Sequence, residues 1–259
     1  MSRTLAEVAA DAADCTRCRL AAGRTQVVFG TGDPNADLMF IGEGPGFHED
    51  KQGEPFVGAA GQLLTRMLAE IGLTREAVYI NNVVMCRPPG NRDPEPDEIE
   101  TCTPWLIERI SLIQPRLIVT LGNFATKFVL QTSLGITRVR GTVHEWHGRK
   151  VIPTFHPAAI LHGGGEKSKQ FASLQEDFAL IRATLDAMPV DGAPPADPAM
   201  PSTPLAARIP DPAPPSASPS ASPSAPPSAP PSAPGATERL ATVIRLEPDR
   251  PDPDQLGLF

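Results

Sequence analysis

The stretch Asp37-Leu38-Met39-Phe40-Ile41-Gly42-Glu43-Gly44-Pro45-Gly46 decides the fold. Four large apolar side chains in a row are too few for a buried helix, and three glycines and a proline cut the run off within the next five positions. A short run that is apolar at both alternations reads as a strand covered on both faces, with the glycine-rich segment as the loop at its carboxyl end. Beyond that loop Leu63, Leu64, Met67, Leu68 and Ile71 recur at helical spacing. The alternation then repeats. A strand over 78–84 precedes a helix over 97–113, with Asp97 as its N-cap and Leu106, Ile110 and Ile113 on one face. A strand over 116–121, closed by Gly122, precedes a helix over 124–130, and a strand over 150–155 precedes a closing helix over 171–185. Four such units predict an α/β domain with a four-stranded parallel sheet, right-handed crossovers and helices on both faces. Ligands of such sheets sit beyond the carboxyl ends of the strands, so chemistry is expected in the loops after Ile41, Val84, Leu121 and Phe155.

Composition divides the 259 residues unevenly. Of the 31 prolines, 17 lie between Pro189 and Pro234, among Ala and Ser, with Arg208 the only basic residue there. Such a segment buries too little apolar surface to offset the entropy of ordering it. Residues 1–188 are therefore expected to fold as one domain, 189–250 to form a disordered linker and 251–259 a terminal peptide. The net charge of −7 divides almost equally between the two parts, which excludes a global nucleic-acid footprint and leaves any phosphate contact to a local basic patch. The acidic, amphipathic N-terminus (Leu5, Val8, Ala9) is not a secretory signal, and no apolar run approaches the ~18 residues of a spanning helix. A soluble cytoplasmic monomer without a membrane partner is expected.

All four cysteines fall in the folded part: Cys15 and Cys18 as C-x2-C, then, after 67 intervening residues, Cys86 and Cys102 as C-x15-C. In a reducing compartment this pattern reads as metal binding before disulfides, against the alternative of buried small hydrophobes. Four thiolates suit tetrahedral zinc or an iron–sulfur cluster, and spacing does not choose between them.

The remaining loops carry Pro55-Phe56-Val57-Gly58, Asn82-Val83-Val84 followed by Cys86-Arg87-Pro88-Pro89, and His156-Pro157. Together with Gly42-Glu43-Gly44-Pro45-Gly46 and the cysteine spacing, these motifs closely resemble the family 4 uracil-DNA glycosylases, in the same order over roughly residues 12 to 186. The resemblance implies a four-iron four-sulfur cluster on Cys15, Cys18, Cys86 and Cys102, and uracil-containing DNA as the partner. It implies that His156 hydrogen-bonds uracil O2, Asn82 reads the base edge and Phe56 stacks on the flipped base. Gly44 takes the position at which family 1 enzymes carry a water-orienting aspartate. Glu43 and Glu49 match carboxylates with supporting or water-positioning roles, either of which could instead bond backbone N–H groups, and Asn91 matches a further active-site asparagine. Ile160 and Leu161 stand where the family carries its intercalating wedge.

The chemistry agrees with these residue types. Cleaving the bond between C1′ and N1 of deoxyuridine makes a uracil anion and a cationic sugar, so donors must face the base. A carboxamide that donates to O4 and accepts from N3–H rejects cytosine, in which both functions are reversed. Asn81 should point to the other face of its strand, and His48, His144, His147 and His162 are expected to be surface residues. Arg87, Arg92, Lys167 and Lys169 are the expected phosphate contacts. Three alternatives carry less of the sequence: a branch that crosslinks to abasic DNA, whose basic insertion ahead of the histidine is missing from Thr154-Phe155-His156; a catalytically inactive iron–sulfur DNA-binding or redox-sensing module; and a zinc-stabilised nucleotide hydrolase.

The chain finishes Gln255-Leu256-Gly257-Leu258-Phe259. This pentapeptide resembles the motif with which bacterial repair and replication proteins bind the sliding clamp, and implies a nucleoid-associated bacterial enzyme. A flexible tail of ~65 residues would reach roughly 45 Å in root-mean-square terms.

Overall fold

The computed structural model describes residues 3–189. The linker and the Gln255–Phe259 peptide lie outside the described residues. The chain builds α1 (Leu5–Ala13), β1 (Thr31–Gly32), β2 (Leu38–Gly42), α2 (Phe47–Gln52), α3 (Ala59–Glu70), β3 (Tyr79–Asn82), α4 (Pro96–Ile113) and β4 (Leu117–Leu121). It continues with α5 (Gly122–Leu130), α6 (Ile136–Val139), β5 (His144–Trp146), β6 (Arg149–Thr154), α7 (Pro157–His162) and α8 (Lys169–Asp186).

The sheet has six strands in the order β1-β3-β2-β4-β6-β5. The four expected strands form its parallel centre, β3, β2, β4 and β6. The expectation of four strands in all is corrected by β1 and β5, which pair antiparallel on the two edges. At two and three residues they are too short to carry a periodic signal. The β5–β6 hairpin turns on His147 and Gly148, both at positive φ (47° and 73°), the geometry of a two-residue type I′ turn with an unusual residue in its first position.

The central strands are buried at nearly every position because both faces are covered, and most of their side chains are apolar. On one face Met39, Ile41, Ile118 and Val151 pack with Val8 and Ala12 of α1, Leu106 and Ile110 of α4, and Ala125 and Val129 of α5. On the other, Leu38, Phe40, Ile80, Leu117, Val119 and Ile152 pack with Leu63, Leu64 and Leu68 of α3, Ile160 of α7, and Leu174, Phe178 and Ile181 of α8. The alternation therefore sorts neighbouring residues to opposite faces, and it sends Asn81 and Asn82 apart in the same way.

The start of α4 also differs from expectation. Its N-cap is Glu95, which forms a reciprocal capping box with Glu98 ahead of Pro96 at the first helical position. Asp97 lies in the first turn and accepts from Arg19 Nη2 at 2.6 Å. Buried Glu98 is bound by both guanidinium nitrogens of Arg92, at 2.6 and 2.9 Å. Among the described residues no helix is long and apolar enough to cross a membrane.

Phe178 stacks on Phe40 at 6.0 Å between ring centroids and joins α8 to the centre of the sheet. Phe178→Ala is expected to destabilise the domain by ~3–5 kcal/mol in denaturant unfolding, as for other buried phenylalanines; a loss below about 1 kcal/mol would show that α8 is not needed for the core.

Candidate active site

A cavity of about 380 Å³ opens at the carboxyl ends of β2, β3 and β6. Gly44, Gly46, Phe47, His48, Glu49 and Phe56 line it from the segment after β2, Asn82 from the end of β3, and His156, Leu161 and His162 from the segment after β6.

Its floor depends on a missing side chain. A Cβ on Gly42, the last residue of β2, would run into Asn82 Oδ1 and, at 2.6 Å, Phe56 Cζ. Glycine thus lets the Asn82 carboxamide and the Phe56 ring meet over the strand end. Asn82 is buried, and its Oδ1 has no protein partner. Phe56 holds a left-handed backbone, φ 55°, which a non-glycine residue keeps only under external restraint. The restraint is Arg75, whose Nη1 donates to the Phe56 carbonyl at 3.0 Å and Nη2 to that of Pro55 at 2.7 Å. Gly61 allows the same carbonyl to sit against α3, where any Cβ would strike it.

His156 caps α7 and faces Phe56, with 5.6 Å between ring centroids. Its Nδ1 accepts from the Ala158 N–H at 3.2 Å, which assigns the ring proton to Nε2. Desolvation pushes the imidazole down to about 4, so it is neutral in ordinary buffers. The strand ahead of it is fixed by Asp177 of α8, which accepts from Arg140 Nε at 2.9 Å and Nη2 at 2.5 Å and from the Thr154 hydroxyl at 2.6 Å. Arg140 also lies over the Phe155 ring, 5.4 Å from its centroid.

The two glutamates part company. Glu49, at the N-terminal end of α2, lines the cavity, and its Oε1 accepts from the N–H groups of Val57 and Gly58 at 2.9 and 2.8 Å. Glu43 does not line the cavity. Its Oε1 is buried without a hydrogen bond, and burial, reinforced by the charge and carboxyl of Asp93, pushes its carboxyl up to about 8. Asn91 is also absent from the wall: it is buried at φ 52°, and its Oδ1 accepts from Arg87 Nε at 2.5 Å. Of the two wedge candidates, Ile160 is enclosed in the core, whereas Leu161 stands exposed at the cavity mouth.

Asn81, on the other face, is fully buried with its carboxamide unpaired. His48 and His162, expected only as surface residues, line the cavity, as does Phe47, whose ring lies under Arg87. Nothing in the spacing of Phe47 or His48 signalled this, because the short helix after β2 turns them towards the cavity, while His162 is exposed, as expected, at its rim. Arg92 is committed to Glu98, while Lys167 and Lys169 are exposed just beyond α7.

The four cysteines gather at the edge of the core that faces α1 and α4. Cys86 and Cys102 are buried, Cys15 and Cys18 half-buried against them. Arg24 Nη1 donates to the Cys15 carbonyl at 2.6 Å and to Cys86 Sγ at 3.5 Å. Desolvation pushes the Cys86 thiol up to about 11 and that of Cys102 to about 12. Among the described residues no group of three or more His, Cys, Asp or Glu side chains stands at the spacing that holds a metal ion. The donor set still fits a thiolate-ligated centre: four thiols, no competing histidine, and a guanidinium already directed at one sulfur.

A polar-edged, aromatic-floored cavity at the carboxyl end of a parallel sheet marks the ligand site of an α/β domain. The family model of the uracil DNA glycosylase superfamily matches residues 29–179. A type-4 uracil-DNA glycosylase of Sulfurisphaera tokodaii is 46% identical over 188 residues, covering 69% of this chain and 84% of that protein. The type-4 enzyme of Archaeoglobus fulgidus is 47% identical over 61% of this chain and 84% of its own length, and that of Thermotoga maritima 51% identical over 57% and 78%. The chain belongs to the type-4 uracil-DNA glycosylase family.

The neutral His156 fixes the acid limb of any reaction it serves. An unfolded imidazole, at its ordinary value near 6.5, takes up a proton before the folded one, so the stability held in neutral His156 declines as pH falls from about 6.5 towards 4. The single-turnover pH–rate profile is expected to stay free of a histidine inflection near 6.5 and to fall only towards pH 4; a midpoint near 6.5 that disappears in His156→Gln would contradict the neutral assignment.

Proposed function

We propose that the protein repairs DNA by hydrolysing the N-glycosidic bond of deoxyuridine, releasing uracil and leaving an abasic site. The observation that carries this reading is the meeting of Asn82, Phe56 and His156 in one cavity, with unpaired Asn82 Oδ1 and a neutral imidazole protonated at Nε2. Uracil turned out of the helix stacks on Phe56, a contact worth about 1–3 kcal/mol. Asn82 accepts from uracil N3–H through Oδ1 and donates to O4 through Nδ2. Cytosine leaves both functions unmatched in a buried site. The His156 Nε2–H donates to O2, where negative charge develops as the bond to C1′ breaks, and a neutral donor does so without surrendering its proton.

Glu49 is the carboxylate we assign to the water that attacks the sugar, since it borders the cavity. Glu43 is assigned a supporting role in the loop, held protonated below about pH 8, and Asn91 a role in ordering Arg87. Leu161 is the wedge that fills the gap in the base stack, and Lys167 and Lys169 contact the flanking phosphates.

Cys15, Cys18, Cys86 and Cys102 are assigned to a four-iron four-sulfur cluster, in keeping with the thiol-only donor set. When bound it supplies cross-linking of the N-terminal segment, the loop after β3 and α4, so that binding free energy becomes folding free energy. The Gln255–Phe259 peptide, outside the described residues, is proposed to tether the enzyme to a sliding clamp.

Asn82→Ala is expected to lose most uracil excision and its margin over cytosine, and His156→Ala ~10²–10³ in single-turnover rate. The assay is alkaline scission of a uracil-containing oligonucleotide after incubation with enzyme. Near-native rates in both variants would remove this site from the reaction. Separately, truncation before Gln255 should abolish capture by purified clamp and leave excision from a short oligonucleotide unchanged; clamp binding that survives truncation rules the peptide out.

A further inference from the structure

Arg109 of α4 is fully buried and has no carboxylate partner among the described residues. Every arm of its guanidinium meets a backbone carbonyl. Nε donates to Trp105 at 3.1 Å, Nη1 to Phe29, and Nη2 to Asn82 at 3.3 Å, while the group lies 5.1 Å from the Phe29 ring centroid. These contacts give each of its three nitrogens a partner and leave its charge uncompensated in a low-dielectric interior, an arrangement that folding disfavours unless an anion is close. The groups within electrostatic reach are the Tyr79 hydroxyl and the Cys102 thiol, two helical turns earlier on α4. A phenol or a free thiol brings no charge at neutral pH, whereas a metal-bound thiolate does. Half-buried Arg24, in contact with the cysteines, repeats the pattern. It donates to Cys86 Sγ and to the Cys15 carbonyl, again without a carboxylate partner among the described residues.

We infer that Arg24 and Arg109 are the built-in counter-charge of the iron–sulfur centre on Cys15, Cys18, Cys86 and Cys102, and that Arg109 ties this centre to the main chain of Asn82. The inference rests on the cluster reading given above and extends it to residues outside the ligand set. Two fixed cations beside an anionic cluster favour the form with one more electron, so together they raise its reduction potential. Arg109 is in addition a positioning residue. It holds the carbonyl of Asn82, the residue assigned to read the base, from the face of the sheet opposite the cavity.

The test uses full-length protein purified without oxygen, with iron content and visible absorption measured first, followed by potentiometric titration with dithionite and mediators monitored by electron paramagnetic resonance. Arg24→Gln and Arg109→Gln are each expected to shift the potential to more negative values at unchanged iron content, and Arg109→Lys to retain most of the native value. If Arg109→Gln proves insoluble, Arg24→Gln, altered at a half-buried site, bears the same test alone. Iron-loaded variants with the wild-type potential would overturn the arginine assignment and leave the cluster reading intact. A wild-type protein free of iron and of visible absorption would overturn both.

Discussion

The candidate site depends on one exclusion of volume. Gly42 ends β2 without a side chain, and the space a Cβ would take is filled by the Asn82 carboxamide and the Phe56 ring. A polar group that can read a base edge and an aromatic surface that can carry the base therefore converge on one point of a rigid sheet. Sheet register does the rest, because Gly42 and Asn82 are paired positions on adjacent parallel strands. The strained backbone of Phe56 follows from the same constraint: the ring reaches the strand end only if the chain turns sharply, and Arg75 and Gly61 hold the turn.

Desolvation is the second organising influence, and it acts differently on each group. It keeps His156 neutral, so that a hydrogen bond from Ala158 can assign its proton to the nitrogen a substrate needs. It keeps Glu43 protonated next to Asp93 and away from the cavity wall. In Asp177 burial pushes the carboxyl up while Arg140 and Thr154 pull it down, and the three together lock the strand that delivers His156. Around the cysteines the apolar shell leaves two guanidinium groups without carboxylates, a charge imbalance that marks this edge of the core as more than packing.

Much of this was legible in the sequence because strands covered on both faces read as short, mostly apolar runs and their loops are punctuated by glycine and proline. The four parallel strands, the helices between them and the convergence of Phe56, Asn82 and His156 followed from that pattern and from the resemblance carried by the loops. The edge strands were not legible: two or three residues have no period, and the His147-Gly148 turn lacks the usual Asn or Asp. The N-cap of α4 fell two residues before Asp97 because a glutamate performs the capping.

By itself the sequence determined the layers of the fold, the order of the strands' chemistry-bearing loops and the set of residues that compete for the site, since local periodicity and short motifs encode these. Only the tertiary structure decided which candidates share a cavity. Glu49 and Leu161 border it, while Glu43 and Asn91 stand behind the wall and Ile160 is spent in the core. The reason is that adjacent residues in a loop or short helix differ by the rotation of one backbone step, which composition does not record. Arg75 and Arg109 act through carbonyl groups 19 and 27 residues away in the chain, and only folding brings such partners together.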